Sequence, residues 1–308
     1  MSKPKIVVVG SSNTDMIVKS PHIPAPGETV LGGIFATAAG GKGANQAVAA
    51  ARAGGEVVFV ARVGDDMFGA QAIAGFEREG IDCSKIIRDP ANASGVALIM
   101  VDDQGQNSIS VALGANNALS PSDVDAASDA IAAADMLVVQ LEIPIATVER
   151  AVQLAKRANV PVLLDPAPAP EVALPSSILD CVTIIKPNET EAQRLTGQTV
   201  TDASSAEKAA RELLNGGVET AIVTLGRSGS VVVPRSGAAF VVDSRQVAAV
   251  DATAAGDAYS GALAVALAEG MTLATAVDFA TRAAALSVRK LGAQPSLATR
   301  DEIDAFQV

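Results

Sequence analysis

The chain has few of the residues that most often carry acid–base, redox or stacking chemistry. It contains no tryptophan, one tyrosine and one histidine, His22, which lies between prolines and is expected to be a loop residue. The two cysteines, Cys83 and Cys181, show neither a Cys-x-x-Cys nor a histidine spacing, so neither a zinc site nor a disulfide framework is indicated. Any acid–base chemistry therefore falls mainly to carboxylates.

Charge and hydropathy exclude further classes of protein. The net charge of −11 repels nucleic-acid backbones, and no basic stripe with interleaved aromatic residues compensates for it. The mean hydropathy is +0.33, yet no apolar run approaches the roughly eighteen residues of a membrane span. The apolar run 6–9 is too short for a signal peptide. We expect a cytoplasmic protein without nucleic-acid or membrane partners.

Short β-branched runs alternate with longer alanine-rich stretches, which is typical of repeated βαβ units around a mostly parallel sheet. The predicted fold class is α/β, in a single domain that spans 1–308. The main predicted strands are 6–9, 57–60, 136–141, 160–164, 182–186 and 221–224. The predicted helices are 44–53, 68–79, 145–158, 191–195, 206–214, 258–268 and 274–288.

Two regions, about 16–36 and 95–112, break this alternation. In 95–112, apolar residues recur at every second position on both sides of a turn at 102–105. Strands without intervening helices predict a small β-sheet that projects from the main domain and could act as a lid. The alternative is an edge hairpin that completes the main sheet.

The most informative segment is the small-residue loop 251–257, which leads directly into an apolar helix. Ala254, Ala255 and Gly256 let backbone N–H groups crowd at a helix N-terminus, where the helix dipole favours an anion such as phosphate. Asp257 would then be a carboxylate beside an electrophile, as phosphoryl transfer to a hydroxyl requires. The alternative is that Asp257 merely caps its helix.

The glycine-rich segment 40–46 opens another predicted helix. It is not a Walker motif, because Gly43 stands where Ser or Thr should follow the lysine and Ala36 stands where the first glycine should be. The glycines still permit close approach of backbone to a polar ligand, and Lys42 and Asn45 offer donors for hydroxyls. The alternative is a tight structural turn.

Polar residues also follow several predicted strands, at the sheet edge where open α/β folds bind ligands. Asn13 and Asp15 follow the first strand, and Glu142 ends another; they suit sugar hydroxyls but could be ordinary turn residues. The spacing of Asn188 and Glu191 favours a capping box, although both could serve a Mg²⁺-bound phosphate. The segment 224–229 carries two glycines suited to a nucleotide phosphate.

Taken together, these segments resemble the ribokinase-like family of carbohydrate kinases over essentially the whole chain. The matching motifs are 40–47, 140–142, 166–169, 187–191, 254–257 and 292–296, in the family's order. The resemblance implies a three-layer α/β/α fold with a mostly parallel central sheet and a small β-sheet lid. It further implies ATP-dependent phosphorylation of D-ribose at its terminal hydroxyl, O5, giving D-ribose 5-phosphate and ADP.

The resemblance also implies a role for each matching residue. Asp257 would accept the hydroxyl proton, beside an anion hole formed by Ala254, Ala255 and Gly256. The sugar would be bound by Asn13, Asp15, Gly41, Lys42, Gly43, Ala44, Asn45, Glu142 and Asp257. ATP would be contacted by Asn188, Thr224, Leu225, Gly226, Arg227, Ser228, Gly229, Gly256 and, near adenine, Thr281.

Metal ions and a partner copy follow from the same resemblance. Glu191 would help to hold Mg²⁺ through water, and the lid would pair two copies into a homodimer. A site for K⁺, built largely from carbonyl oxygens, would comprise Asp251, Thr253, Ser287, Lys290, Gly292 and Ser296. Three positions depart from the family pattern: Ala252 lacks the usual hydroxyl, Ser260 replaces an Asn, and Thr281 stands where a His can occur.

Three alternatives remain open from the sequence. The acceptor could be deoxyribose, fructose, pseudouridine or adenosine, although a nucleoside base calls for aromatic stacking and aromatics make up only 3% of the chain. A dinucleotide-dependent oxidoreductase is disfavoured, because no Gly-x-Gly-x-x-Gly follows the first strand. A non-catalytic sugar sensor is disfavoured by the intact Gly256-Asp257 pair.

Overall fold

The computed structural model describes residues 3–306, which form an α/β body and a separate four-stranded sheet. The strands are β1 Lys5–Val9, β2 Asn13–Lys19, β3 Ile34–Gly40, β4 Glu56–Gly64, β5 Ile86–Asp89, β6 Gly95–Val101, β7 Asn107–Ala112, β8 Met136–Val139, β9 Val162–Leu164, β10 Ile184–Ile185, β11 Thr220–Thr224, β12 Ser230–Pro234 and β13 Phe240–Val242. The helices are α1 Lys42–Arg52, α2 Met67–Arg78, α3 Pro121–Asp125, α4 Ser128–Ala132, α5 Ile145–Arg157, α6 Ser176–Leu179, α7 Glu189–Thr196, α8 Ala203–Asn215, α9 Ala255–Ala268, α10 Leu273–Ser287 and α11 Arg300–Ala305.

The main sheet has nine strands in the order β13-β12-β11-β10-β9-β8-β1-β4-β5. Every neighbouring pair from β11 to β5 is parallel, and only β12 and β13 add antiparallel pairs at one edge. Parallel strands need crossover helices, which cover both faces of such a sheet. The predicted mostly parallel three-layer fold is confirmed.

Each face of the main sheet carries its own hydrophobic core. Along β1, Val7 and Val9 point to the core that includes α5 and α8, while Ile6 and Val8 point to the core that includes α1, α9 and α10. Burial on both faces explains why this strand is a continuous apolar run rather than an alternating one.

Close packing of α1 against α9 positions the candidate site. A Cβ at Gly261 in α9 would lie 2.6 Å from the Cβ of Ala49 and 2.7 Å from the backbone nitrogen of Ala50, so only glycine fits this crossing. The two helices therefore approach closely, and the first turn of α1 comes to lie beside the first turn of α9.

The second sheet has the order β3-β2-β6-β7 and contains the strands predicted for the projecting sheet. The β2–β6 pair is parallel, and the other two pairs are antiparallel. The edge-hairpin alternative is therefore wrong. The boundaries differ from the prediction: β2 begins at Asn13, β3 ends at Gly40, and 20–33 forms no strand.

Other differences from the prediction are local. The predicted strand 182–186 is reduced to β10, and β5 and the short helices α3, α4, α6 and α11 were not predicted. Within residues 3–306, no helix combines the length and apolar character needed to cross a bilayer.

Candidate active site

The carboxyl ends of β9, β10 and β11 open onto a cavity of about 470 Å³, and the N-terminus of α9 forms its opposite wall. This is the sheet edge at which open α/β folds bind ligands. The predicted residues in the cavity wall are Lys42, Asn188, Glu191, Thr224, Gly226, Arg227, Gly229, Ala254, Ala255, Gly256, Asp257 and Thr281. The structure therefore brings most of the predicted phosphate and nucleotide residues together around one space.

The turn before α9 exposes backbone donors to this cavity. Ala254 adopts the left-handed conformation with φ of 59° and precedes the first residue of the helix. Among residues 3–306, the N–H groups of Gly256 and Asp257 have no hydrogen-bond acceptor, whereas that of Ala255 bonds to Ala252. Two free N–H groups at the positive end of a helix dipole form a site for an anion.

Asp257 lies in the first turn of α9 and is only 6% exposed. Asn45 Nδ2 donates to its Oδ2 at 2.9 Å, and Gln46 Nε2 donates to its Oδ1 at 3.0 Å. The side chain accepts no backbone N–H of its own helix, so the capping alternative is wrong. Burial raises the pKa of Asp257. The positive charge of Lys42 opposes this shift, and the negative charge of Asp165 adds to it. A higher pKa makes the carboxylate a stronger base.

Lys42 connects the cavity to the predicted sugar residues. Its backbone N–H donates to Glu142 Oε2 at 2.9 Å, and its side chain lines the cavity. Burial alone would lower the pKa of Lys42, but the carboxylates of Asp257, Asp165, Glu142 and Glu191 raise it above its usual value. The ammonium therefore stays charged at neutral pH.

The other predicted sugar residues lie where the small sheet meets the main sheet. Asn116 Nδ2 donates to Asn13 Oδ1 at 2.8 Å, so the amide of Asn13 is held with its own N–H groups directed away from Asn116. Burial, and then the charge of Glu142, raise the pKa of Asp15 to about 6. Ser11 donates to Glu142 Oε2 at 2.6 Å. These groups give one donor and two acceptors suited to hydroxyls.

The glycine-rich segment 40–46 also forms the tight structural turn that the sequence left open as an alternative. Gly41 precedes α1 with φ of 90°. A Cβ at Gly43 would lie 2.5 Å from the backbone nitrogen of Ser11, and Ala44 donates its N–H to the Ser11 carbonyl at 2.8 Å. Gly41, Gly43 and Ala44 thus fix the turn that carries Lys42 and Asn45, and none of the three is in the cavity wall.

Asn188 and Glu191 form the predicted capping box at α7, with N–H to side-chain oxygen distances of 2.8 Å in both directions. Both residues also line the cavity, so capping and ligand binding are compatible. Burial, and then the charge of Asp165, raise the pKa of Glu191. Glu191 Oε1 accepts no hydrogen bond from residues 3–306, which leaves an oxygen for the water shell of Mg²⁺.

Of the predicted nucleotide segment 224–229, which follows β11, some residues line the cavity and others only close the loop. Gly226 and Gly229 adopt positive φ of 50° and 87° and line the cavity together with Thr224 and Arg227. Leu225 and Ser228 lie outside the cavity wall and close the loop: the N–H of Leu225 bonds to the carbonyl of Gly229, and that of Ser228 to the carbonyl of Leu225.

Thr281 lies on α10, in the wall of the cavity. Its hydroxyl donates to the Val277 carbonyl one turn earlier at 2.8 Å, so its donor is used within the helix. Ser260, which departs from the family pattern, donates to Asp165 and to the Gly256 carbonyl at 3.0 Å each and lies outside the cavity wall.

The predicted K⁺ residues lie in two segments, 251–253 directly before the anion site at α9 and 287–296 after α10. Asp251 Oδ1 accepts from the backbone and hydroxyl of Thr253, and its Oδ2 accepts from the N–H of Gly292 at 2.8 Å. These bonds hold 251–253 against 287–296, the two segments that would supply carbonyl oxygens. The Ser287 and Ser296 hydroxyls donate to carbonyls three residues earlier. The Lys290 side chain instead pairs with Glu302 at 3.2 Å.

Four buried residues of the site were not singled out from the sequence. Gln46 Nε2 donates to both Asp257 and Asp165, and Gln140 Nε2 donates to Gln46 Oε1 at 2.6 Å. Lys186 Nζ lies 3.0 Å from Asp165 Oδ2. Asp165 and Lys186 each stand between an apolar strand segment and a proline. This position places them at the carboxyl edge of the sheet and is the signal that could have identified them.

Comparison with known proteins agrees with this geometry. The family model "pfkB family carbohydrate kinase" matches residues 3–300. The Haemophilus influenzae protein named ribokinase is 44% identical over 301 residues, covering 98% of this chain and 97% of the relative. The Salmonella typhi protein named deoxyribokinase is 36% identical over 301 residues, covering 98% of each chain.

A solved structure shows the same fold. Arabidopsis thaliana ribokinase, determined as a complex with ribose and ATP, superposes with a TM-score of 0.90 at 32% identity and covers 100% of both chains. The chain therefore belongs to the pfkB family of carbohydrate kinases. It is a phosphotransferase that acts on an alcohol group.

Proposed function

We propose that the protein transfers the γ-phosphoryl group of ATP to the 5-hydroxyl of D-ribose, giving D-ribose 5-phosphate and ADP. The observation that carries this proposal is the buried carboxylate of Asp257 at a helix N-terminus, where the backbone N–H groups of Gly256 and of Asp257 itself have no acceptor among residues 3–306. The greater similarity to the relative named ribokinase, 44% against 36% for the one named deoxyribokinase, favours ribose as acceptor.

Each step of the transfer has a candidate group in this chain. Asp257 accepts the proton of the sugar hydroxyl as its oxygen bonds to phosphorus and the bond from phosphorus to the ADP oxygen breaks. The N–H groups of Gly256 and Asp257 donate to the oxygens of the transferring group. Lys42 stays charged beside Asp257 and offsets the negative charge of the ATP phosphates.

The sugar is recognised by the donor and acceptor pattern at the base of the small sheet. Asp15 and Glu142 accept hydrogen bonds from hydroxyls, and the Asn13 amide, held by Asn116, donates to a hydroxyl oxygen. Asn45 donates a hydrogen bond to Asp257, so this proposed sugar-binding residue lies directly beside the base. Binding energy at these groups holds the 5-hydroxyl close to Asp257.

Metal ions complete the proposal. The free oxygen of Glu191 fits an outer ligand of Mg²⁺, which when bound shields the charge of the phosphates. The Asp251 contacts fit a K⁺ site made of carbonyl oxygens, and a cation there would order the turn at Ala254 without touching substrate. The bonds of Asp251 persist although Ala252 lacks the family's usual hydroxyl.

The small sheet is proposed to close over the sugar and to pair two copies. Its register places Phe35 and Leu98 on one face and Ile34 and Ile109 on the other, and these four side chains are 53% to 71% exposed. Apolar exposure on both faces of one sheet favours a protein partner. A cytoplasmic location, where ATP is abundant, is part of the same proposal.

The test is ADP release with D-ribose, 2-deoxyribose, fructose, pseudouridine and adenosine, each with Mg²⁺ and K⁺. We expect the highest kcat/KM with D-ribose, and phosphorus NMR should identify the 5-phosphate. A mixture without sugar measures background ATP hydrolysis. Turnover with a nucleoside alone would contradict the ribose assignment, and no ADP release above background with any acceptor would contradict the kinase function.

A further inference from the structure

Lys186 directly follows β10 and reaches into the cavity from the edge of the main sheet. Its side chain is 4% exposed; its Nζ forms an ion pair with Asp165 Oδ2 at 3.0 Å and donates to the Gly256 carbonyl at 3.2 Å. A buried ammonium is costly unless it is paired and hydrogen-bonded. Lys186 is therefore held at a fixed position rather than reaching freely into solvent.

The surroundings leave one side of this ammonium open. The ring centroid of Tyr259 lies 5.9 Å from Nζ, within the range of a cation–π contact. Among residues 3–306, the Gly256 carbonyl is the one hydrogen-bond acceptor of this ammonium, and Asp165 Oδ2 lies beside it as an ion-pair partner, so N–H groups remain available to a ligand. Lys186 nevertheless forms part of the cavity wall.

The open side adjoins the anion site. A Cβ on Gly256 would lie 3.3 Å from Lys186 Nζ, so the missing side chain leaves the ammonium next to the backbone of α9. At this point the N–H groups of Gly256 and Asp257 have no acceptor in the described part of the chain. A cation and two backbone donors around one space form a stronger phosphate site than either alone.

Acidic and basic side chains balance in the cavity wall. Asp165, Glu189, Glu191 and Asp257 would repel a nucleotide triphosphate, and Lys42, Lys186, Arg227 and Arg245 offset them, so loss of Lys186 would leave an excess of negative charge. Asp165 accepts hydrogen bonds from Gln46 and Ser260 besides its ion pair with Lys186, so its carboxylate stays in place when the ammonium also binds a ligand.

We propose that Lys186 is a ligand of the transferring phosphoryl group and donates an N–H to a γ-phosphoryl oxygen, in bound ATP and more strongly in the transition state. This role rests on the proposed function and adds a cation from β10 to the donors at α9. The rival explanation is that Lys186 only neutralises Asp165, in which case removal of both charges should restore activity.

The test separates these explanations with two variants. Lys186→Met leaves Asp165 buried without its partner and is expected to lower the melting temperature, whereas Lys186→Met with Asp165→Asn removes both charges and should recover much of it. If Lys186 binds phosphate, kcat stays on the order of 10²-fold below wild type in both variants. Recovery of kcat in the double variant would overturn the proposal.

A binding measurement makes the outcome independent of the acceptor sugar. Calorimetric titration with the non-hydrolysable ATP analogue AMP-PNP and with ADP, both with Mg²⁺, gives the affinity increment due to the γ-phosphate. We expect both variants to lose most of this increment while ADP affinity stays within about twofold. An unchanged increment would overturn the role of Lys186, and Lys208→Met, at an exposed lysine on α8, is the matched control.

The wild-type protein provides a test that does not depend on folding of a variant. Crystals grown with ADP, Mg²⁺ and aluminium fluoride, which mimics the phosphoryl group in transfer, should show a fluoride within hydrogen-bond distance of Lys186 Nζ. An aluminium fluoride group bound at α9 with Lys186 still directed only to Asp165 and Gly256 would contradict the proposal and leave the kinase function intact. Failure of the group to bind beside α9 would instead contradict the proposed function.

Discussion

The side-chain amide of Gln46 donates a 3.0 Å hydrogen bond to Asp257 Oδ1. Gln140 donates to the oxygen of the same amide at 2.6 Å, which fixes the orientation of Gln46 so that both of its N–H groups face carboxylates. Asn45 occupies the other oxygen of Asp257. The carboxylate is thus held in one orientation before any substrate binds, as a positioned base requires.

The first prediction concerns this base. Asp257→Asn removes the proton acceptor and should lower kcat on the order of 10²-fold or more, with a smaller effect on the KM for ATP. The loss of one hydrogen bond to Asn45 or Gln46 is opposed by removal of a buried charge, so the melting temperature should change little. Coupled ADP release and thermal unfolding measure both quantities. Near-normal kcat in a folded variant would refute the base assignment.

The second prediction concerns pH. Because the pKa of Asp15 is raised to about 6, this carboxyl group is protonated below that pH and no longer accepts as an anion. The KM for D-ribose should therefore rise as the pH falls from 7 to 5, while the KM for ATP follows a different profile. In Asp15→Asn this rise should be absent and the KM high at every pH. A KM for D-ribose that does not change with pH in the wild type would contradict this role of Asp15.

The raised pKa also sets the sign of a stability effect. A carboxyl group whose pKa is higher in the folded state than in the unfolded chain contributes less stability as the pH rises between the two values. Between the reference value of 3.8 and about 6, Asp15 should therefore lower the free energy of unfolding with increasing pH. Asp15→Asn should raise the melting temperature more at pH 8 than at pH 4.

The third prediction concerns the monovalent cation. Replacing K⁺ by Na⁺ at constant ionic strength should lower kcat, because a poorly fitting ion would no longer order the turn before α9. Asp251→Ala removes the bonds to Thr253 and Gly292 and should reduce the K⁺ effect by about tenfold, as the loss of ~1.4 kcal/mol would. Lys290→Ala is the matched control, since that side chain pairs with Glu302. Equal rates in both salts would exclude the site.

The fourth prediction concerns the oligomer. Light scattering after size-exclusion chromatography should give the mass of a dimer for the wild type and of a monomer for a variant with a charge in the interface. Leu98→Asp and Ile109→Asp test the two faces of the small sheet separately. Val172→Asp, at a residue 75% exposed outside that sheet, is the control and should stay dimeric. A monomeric wild type would contradict the pairing.

The sequence predicted features that depend on neighbouring residues better than contacts between residues that are distant along the chain. The β-branched runs and the Asn188 capping box are local, and both were predicted correctly. The short strand Ile86–Asp89 was missed, since four residues with an arginine give no clear period. The mutual contacts of Gln46, Asp165 and Lys186 could not be predicted, because these partners are separated by 119 and 21 positions and meet only through strand order and the α1–α9 crossing.

Only three residues separate the end of β1 from Asn13, and β2 belongs to the small sheet. Asn116 anchors this short connection, since it exchanges hydrogen bonds with the backbone of Ser12 and binds Asn13. Rotation of the small sheet about the connection would move Asp15 away from Glu142, which belongs to the body. Opening of the small sheet would thus separate Asp15 from Glu142, the two acceptors for the sugar hydroxyls. The same motion would therefore separate these carboxylates and release the product.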